Sequence, residues 1–305
     1  MSARHAVTLA AALLAWGPTP PRAQEALRVC LNQDLPPYSV HRAQGGSGFD
    51  LAVAAAAAER LGRTLAVQWF ESKLDEGTSM ALEANALLSD GRCQLAASYP
   101  LVRAALGKPG LETTRLPDFE GAGAADRRRR VALGTLVASR PYHRALLTVV
   151  LGRAAAGRPV ASLADLRDLR LGVEGGTFAD AILMLFDNGR LIDRITHVVA
   201  GRGELLPRLE QGDYDAVLVE LRRLDAYRAE HPDTRLTPSG YHHRIGFNLG
   251  FVALDPVLIG KVDQALDAML DRGEIEALAR AAGMTPVRPQ PPPILEDFSL
   301  ADLRK

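Results

Sequence analysis

The stretch "RLGVEGGTFADAIL", residues 170–183, joins a short apolar run to a helical pattern through two glycines and a threonine. Residues 169–173 predict a buried strand, and the residues after Thr177 predict a helix. A strand that ends in glycines below a helix N-terminus is a place where a negative group can bind. The G-x-G-x-x-G spacing is missing, so a dinucleotide site is not indicated.

The same alternation of strand and helix extends to both sides of this stretch and predicts an α/β fold. Strands at 27–32, 64–70 and 93–99 with helices at 48–62 and 79–91 make one βαβαβ unit, whose strands we expect to be parallel. A second unit has strands at 169–173, 195–200 and 214–220 and opens with a capped helix at 162–169.

Two further strand-like runs, at 145–151 and 246–254, lie between and after these units. They indicate a chain that leaves one lobe, builds a second and returns. We expect lobe 1 to comprise 24–145 and 246–290, lobe 2 to comprise 146–245, and 291–305 to form a C-terminal tail. The proline-rich stretch "PVRPQPPP" that leads into it predicts an extended chain. Two lobes joined by two strands create a hinged cleft suited to a small ligand.

The N-terminus has the layout of a secretory signal peptide. Arg4 and His5 precede the apolar run "AVTLAAALLAW", which small residues and "GPTPPRAQ" follow. We expect a signal at 1–23, cleaved near Ala23, and an exported protein. A buried N-terminal helix is the alternative.

Composition and charge exclude several classes of function. The 305 residues carry 36 basic and 36 acidic side chains, which gives no bias toward nucleic acid. Cys30 and Cys93 are a disulfide candidate in an oxidising compartment, with two buried thiols as the alternative. No Cys/His cluster has metal-ligand spacing, and no cofactor is expected. The run at 126–130, "DRRRR", fits a solvated face better than an anion patch.

The order of "LPPYS", "GFDLAVAAAAAERLG", "SLADLRDLRLGVEGGT", "YDAVLVE" and "GFNLGFV" resembles the extracellular solute-binding proteins of family 3. The resemblance covers nearly all of the mature chain and implies a two-lobe periplasmic-binding-protein type II fold with two hinge strands. The stretches "LRVCLNQDLPPYS", "GRCQLAAS" and "SRPYHR" look most like a branch found with quinoprotein, methanol-type dehydrogenases.

For lobe 1, the resemblance implies an aromatic ring on the ligand from Tyr38, and an opposite face from Trp69 or Phe70. The alternative for these rings is core packing. Polar contacts are expected at the end of the third strand, from Ser98 and Tyr99. The arginine that forks onto a ligand carboxylate is expected at Arg103, although "YPLVR" departs from the family's pattern. Its rivals are Arg140 and Arg144.

For lobe 2, the resemblance implies that Gly176 and Thr177 hold a carboxylate at the helix start, with a plain helix cap as the alternative. Glu220 stands where relatives often carry an aspartate that binds an ammonium, and a salt bridge is its alternative. Together these residues imply a zwitterionic ligand.

Three functions follow as hypotheses. The first is a periplasmic receptor that binds an amino acid or carboxylate for an inner-membrane ABC permease. The second is an accessory protein of a periplasmic quinoprotein dehydrogenase. The third is a dehydratase-like enzyme, which needs a general acid or base. The candidates for this group are His41, His143, His242 and His243. None of them lies on a familiar catalytic motif, so we do not expect the protein to be an enzyme.

Overall fold

The computed structural model describes residues 25–72, 79–107, 110, 112–296 and 299–304. The expected signal segment, residues 1–23, lies outside them. Within the described residues, no helix has the length and apolar character needed to cross a membrane.

Strands and helices alternate as the sequence predicts. The strands of the main sheet are β1 (Ala26–Asn32), β2 (Thr64–Glu71), β3 (Leu95–Pro100), β4 (His143–Leu151), β5 (Leu171–Glu174), β6 (Ile195–Val198), β7 (Ala216–Glu220) and β8 (Pro238–Ala253). The helices are α1 (Phe49–Arg60), α2 (Met80–Ser89), α3 (Phe178–Leu185), α4 (Leu205–Gln211), α5 (Leu221–Glu230), α6 (Pro256–Asp271), α7 (Glu274–Ala281) and α8 (Leu300–Leu303).

Shorter elements fill the connections. Asp118–Phe119 pairs with β2, and Val137–Ala138 pairs with β8. Asp34–Leu35, Ser39–Arg42 and Gly45–Ser47 form a small sheet, and Thr113–Arg115 pairs with Arg130–Ala132. Single 3-10 turns lie at Arg103–Ala105, Asp126–Arg128, Arg153–Ala155, Leu163–Leu166, Phe186–Asn188 and Ile192–Arg194.

One sheet runs through both lobes in the order β6-β5-β7-β4-β8-β3-β1-β2. β1 pairs in parallel with β2 and β3, and β5 pairs in parallel with β6 and β7, so both expected parallel units are confirmed. The two hinge strands, β4 and β8, are antiparallel to each other. Parallel strands put their carboxyl ends at one edge, which is where α/β folds place ligand sites.

The hydrophobic core is divided between the two lobes, with a cluster on each face of the sheet. In β4, Ala145 belongs to a lobe 1 cluster, whereas Leu147 and Val149 belong to a lobe 2 cluster. In β8, Ile245 packs in lobe 2 and Leu249 in lobe 1. Both strands therefore cross from one lobe to the other within a few residues, β4 between Ala145 and Leu147 and β8 between Ile245 and Leu249.

Local signals explain several helix ends. Ser162 and Asp165 form the expected capping box, although the helix they start is one 3-10 turn, Leu163–Leu166. The Ser79 side chain accepts a hydrogen bond from the Leu82 N–H at the start of α2. Gly62 follows α1 with a φ of 67°, which glycine adopts without strain.

Two regions add to lobe 1. Cys30 in β1 is joined to Cys93 by a disulfide that lies within an apolar cluster. The insert between β3 and β4 contributes Leu116, Phe119 and Val131 to the same cluster, so it is part of the lobe rather than a free loop. The arginines of the 126–130 run are exposed, and Arg127 and Arg129 pair with Asp118 and Asp90.

Candidate functional site at the strand ends

The aromatic candidates of lobe 1 are packed closely by the chain itself. Tyr38 is 3% exposed, and its ring meets His143 edge-on with the centroids 5.6 Å apart. Trp69 stacks on His41 at a centroid distance of 4.7 Å. Phe70 is buried opposite Phe119. All three rings are thus buried, and other groups of the chain pack against them.

Ser98 belongs to a buried hydrogen-bond network at the end of β3. Its hydroxyl donates to one carboxylate oxygen of Asp50, and the Tyr142 hydroxyl donates to the other at 2.8 Å. The Ser98 N–H in turn donates to the Tyr142 oxygen at 2.9 Å. Ser98 has a φ of 53°, which is uncommon for a residue with a Cβ. The network fixes this strained turn.

Burial controls the ionisation of Asp50. The carboxyl group is 1% exposed, and burial raises its pKa from 3.8 to about 6, against the opposing effect of the hydrogen bonds from Ser98 and Tyr142. Asp50 and Ser98 line a cavity of about 20 Å³ together with Asn32, Phe70 and Tyr99. This volume fits about one water molecule.

The helix start in lobe 2 has the geometry of a cap. The Thr177 hydroxyl accepts a hydrogen bond from the Asp180 N–H at 3.3 Å and donates to the Glu174 carbonyl at 2.8 Å. Asp180 reaches back, and its carboxylate accepts the Gly176 N–H at 2.8 Å. Its other oxygen lies 2.8 Å from His197 Nε2. The position where an external carboxylate was expected is thus occupied by a carboxylate of the chain.

Glu220 also has a partner from the chain. Arg222, at the start of α5, pairs with Glu220 at 2.8 Å and donates to the Pro36 carbonyl of lobe 1 at 3.0 Å. Its guanidinium lies 5.7 Å from the centroid of the Tyr38 ring. Next to it, Arg223 holds the buried Glu174 by both carboxylate oxygens. The contact between Arg222 and Pro36 spans the cleft.

The space between the lobes at this level is nearly filled. A cavity of about 10 Å³ remains beside Arg222, where strand ends and hinge residues from both lobes meet. Such a volume is at the limit for one water molecule. Entry of a solute therefore requires that Arg222 moves or that the lobes separate.

The arginine candidates lie apart from one another. Arg103 is 56% exposed and pairs at 2.8 Å with Glu296 of the C-terminal segment. Arg140 pairs with Asp267 on α6 at 2.9 Å. Arg144 lies on the hinge strand, where partial burial lowers its pKa. The Tyr99 hydroxyl donates to the Ala105 carbonyl at 2.6 Å, which ties the end of β3 to the turn that carries Arg103.

The four candidate histidines lie on different parts of the fold, apart from the neighbours His242 and His243. His143 lies on β4, and burial lowers its pKa to about 4, so it is neutral at pH 7. His243 is buried on β8, where its Nδ1 accepts a hydrogen bond from the Ile245 N–H. His41 lies in the small sheet, on the strand Ser39–Arg42, and His242 lies in β8.

Four residues that connect the predicted ones were not predicted from the sequence: Asp50, Tyr142, Asp180 and Arg222. Asp50 had a visible signal, since it is an acidic residue within the otherwise apolar face of an alanine-rich helix. Asp180 has the spacing of a first-turn acid three residues after a threonine cap. Arg222 had none, because its partner Pro36 is distant in the sequence.

No protein-family model matches the sequence, and neither does any curated protein. Solved structures do. The L-cystine solute receptor of Neisseria gonorrhoeae, in an unliganded open conformation, is 17% identical over 88% of this chain and 96% of that chain, with a TM-score of 0.60. Substrate binding domain 2 of Lactococcus lactis GlnP, also open, is 15% identical over 85% and 95%, with a TM-score of 0.57.

A third structure is a histidine kinase sensor domain with similarity to periplasmic binding proteins. It is 17% identical over 88% of this chain and 99% of that chain, with a TM-score of 0.53. The fold is therefore that of a two-lobed periplasmic binding protein, as the sequence predicted. At these identities the likeness defines the fold alone.

Proposed function

We propose that the protein is a periplasmic solute-binding protein, and not an enzyme, that takes a small polar solute between its lobes and delivers it to an ABC permease. The contact of Arg222 with Pro36 carries the proposal, because it brings the strand ends of both lobes within reach of one side chain. The disulfide supports export to an oxidising compartment. Amino-acid receptors among the similar folds support the solute class.

The solute we propose is an amino acid or a similar zwitterion that exchanges places with groups of the chain. Its ammonium replaces Arg222 at Glu220, and its carboxylate replaces Asp180 at the Gly176 N–H and the Thr177 hydroxyl. The lobe 1 side of this proposed site comprises Tyr38, Phe70, Ser98, Tyr99 and Arg103. Arg103 would exchange its partner Glu296 for the ligand carboxylate.

A thermal-shift screen against amino acids and small carboxylates tests the proposal. A solute at 100 times its Kd stabilises the fold by about 2.7 kcal/mol. For a chain of this size, that corresponds to a rise in Tm of roughly 4 to 5 °C. Isothermal calorimetry on each hit then gives the affinity. If no solute in the panel raises Tm, the receptor function is wrong.

Variants locate the site. Arg222→Ala removes the internal competitor for Glu220, so an ammonium ligand binds about tenfold more tightly, whereas Glu220→Gln weakens it by at least that factor. Arg228→Ala, at an exposed arginine in the last turn of the same helix, is the matched control and leaves affinity unchanged. Equal affinities in all four proteins would place the ligand elsewhere.

A second candidate is an accessory protein of a periplasmic quinoprotein dehydrogenase. It is favoured by the pairing of Glu220 with Arg222 and of the Gly176 N–H with Asp180, because groups that already have partners in the chain do not need a solute. Affinity purification of the tagged protein from its native periplasm tests it. Recovery of a quinoprotein dehydrogenase, with no solute effect on Tm, would support this function over the first. A solute effect without the dehydrogenase would reject it.

A further inference from the structure

The chain after α7 crosses between the lobes more than once. We call its described residues, 284–296 and 299–304, the C-terminal strap. Its first contact is with lobe 2. The Thr285 N–H and hydroxyl donate to the two carboxylate oxygens of Asp225 on α5, at 2.8 and 2.9 Å. Asp225 is buried, so this contact is shielded from solvent.

The second contact is with a hinge strand. The side-chain amide of Asn248, 3% exposed in β8, donates to the carbonyls of Gln290, Pro292 and Pro293 at 2.7 to 3.1 Å. The Asn248 oxygen accepts the Gln290 N–H at 3.1 Å. Prolines have no N–H, so Pro292 and Pro293 can be held only through their carbonyls. The buried Asn248 amide of β8 supplies a donor to both.

The third contact is with lobe 1. The Leu295 N–H donates to the Leu101 carbonyl at 2.8 Å, and the Arg103 N–H donates to the Leu295 carbonyl at 2.9 Å. The Arg103 and Glu296 side chains pair beside this bridge. The strap thus adds a short parallel bridge just after the end of β3.

The fourth contact is with lobe 2 again. Leu303 of α8 is 3% exposed and belongs to the same apolar cluster as α3 and β5. The Asp187 N–H donates to the Arg304 carbonyl at 2.9 Å, and the Arg244 guanidinium donates to the Asp302 carbonyl. Ser299 and Asp302 form a capping box that starts α8.

We infer that the C-terminal strap clamps the two lobes at a fixed angle, and that the Leu303 anchor must leave lobe 2 before the cleft can open. A hinge motion changes the separation between Leu101 in lobe 1 and the Leu303 pocket in lobe 2, and the strap spans that separation. The hinge strands β4 and β8 do not fix this separation, because each crosses between the lobes only once and the lobes can rotate about that crossing. The inference does not depend on which solute or partner the protein binds.

The test measures the angle between the lobes in the full chain. Spin labels at exposed Glu59 of lobe 1 and Arg167 of lobe 2 are attached through unnatural amino acids, so that the disulfide is untouched. Leu303→Asp puts a charge into the lobe 2 pocket and should release α8. We expect a longer or wider Glu59–Arg167 distance distribution and about tenfold faster hydrogen exchange in β4 and β8. Leu254→Asp, at an exposed leucine of lobe 1, is the matched control and should match the wild type.

A second variant guards against misfolding. Ser299→Ala combined with Asp302→Ala removes the capping box of α8 and leaves the pocket intact. It should change the Glu59–Arg167 distance distribution and the hydrogen exchange in the same direction as Leu303→Asp, by a smaller amount. If Leu303→Asp loses its cooperative melting transition, this double variant alone tests the clamp. If residues 299–304 exchange freely in either variant while the distance distribution stays that of the wild type, the clamp does not exist. If they stay protected in both variants, Leu303 is not the anchor and the inference is equally wrong.

Discussion

Each lobe has a carboxylate in the first turn of the helix that follows its first strand, and the two behave differently. Asp50 in lobe 1 is buried and takes hydrogen bonds from two hydroxyls, those of Ser98 and Tyr142. Asp180 in lobe 2 takes the Gly176 N–H and lies beside His197, whose side chain is 45% exposed. The same residue type at equivalent places is thus fully buried in one lobe and, with its side chain 16% exposed, partly open to solvent in the other.

The difference in burial between Asp50 and Asp180 predicts different roles for the two carboxylates. A buried carboxylate with hydroxyl partners is costly to ionise and costly to disturb. A pair with one solvent-exposed member, such as Asp180 and His197, contributes about 1 kcal/mol or less and can exchange partners. We therefore expect changes at the strand ends of lobe 1 to alter mainly the free energy of unfolding, and changes at those of lobe 2 to alter mainly binding.

The largest difference should come from the disulfide, which lies in lobe 1. Cys30→Ser with Cys93→Ser should lower the free energy of unfolding by about 4 kcal/mol, since the closed loop spans 63 positions. Urea denaturation measures the total. Hydrogen exchange should show the loss in β1, β2 and β3, while β5 and β7 keep their protection. Equal loss in both sets would mean that the lobes unfold as one unit.

The next effect is the pH dependence caused by Asp50. Its folded pKa of about 6 exceeds its ordinary 3.8, so the fold binds the proton more tightly than the unfolded chain does. The stability that this proton contributes is complete below pH 3.8 and is lost as pH rises through about 6. The free-energy difference between wild type and Asp50→Asn should therefore change by about 3 kcal/mol, with the wild type relatively weaker at pH 7. Denaturation of both proteins from pH 3.5 to 7.5 measures it, and a constant difference would contradict it.

The sequence predicted the strands and helices well because their signals are local. The apolar run of β4, the capping pattern at Ser162 and the glycine after α1 each act within a few residues. The hinge strand β8 was longer than predicted, beginning at Pro238 rather than 246, because its first half pairs with β4 across a polar stretch. Pairing with a partner far along the chain overrode the local pattern.

The site was harder to predict than the fold for the same reason. Arg222, which pairs with Glu220, also donates to Pro36 of lobe 1, and the Ser98 N–H donates to Tyr142, 44 positions away. No periodicity encodes such contacts. The glycine–threonine junction was predicted correctly as a helix start. The spacing of Asp180 fits a first-turn acid, but its hydrogen bond with the Gly176 N–H is a contact that only the structure shows.

A third prediction compares one hydroxyl in each lobe. Tyr142→Phe removes the donor to Asp50 and the acceptor of the buried Ser98 N–H, so it should cost about 2 kcal/mol. Tyr227→Phe in lobe 2 removes one hydroxyl donor to the exposed Glu210 and should cost about 1 kcal/mol or less. Urea denaturation of both variants measures the two costs. Similar costs would remove the distinction between the lobes.

The smallest effect on stability should come from Thr177→Val, which keeps the shape of the side chain and removes the cap of α3. We expect a loss of about 1 kcal/mol, the usual contribution of such a cap. Ser79→Ala removes the cap of α2 in lobe 1 and should cost about the same, which makes it the matched control. Solute affinity, measured by calorimetry on a hit from the screen, should fall for Thr177→Val alone, because only that hydroxyl lies at the proposed carboxylate position. If both variants lose stability equally and neither loses affinity, Thr177 is a cap and nothing more, and the solute carboxylate has to be sought at Arg103.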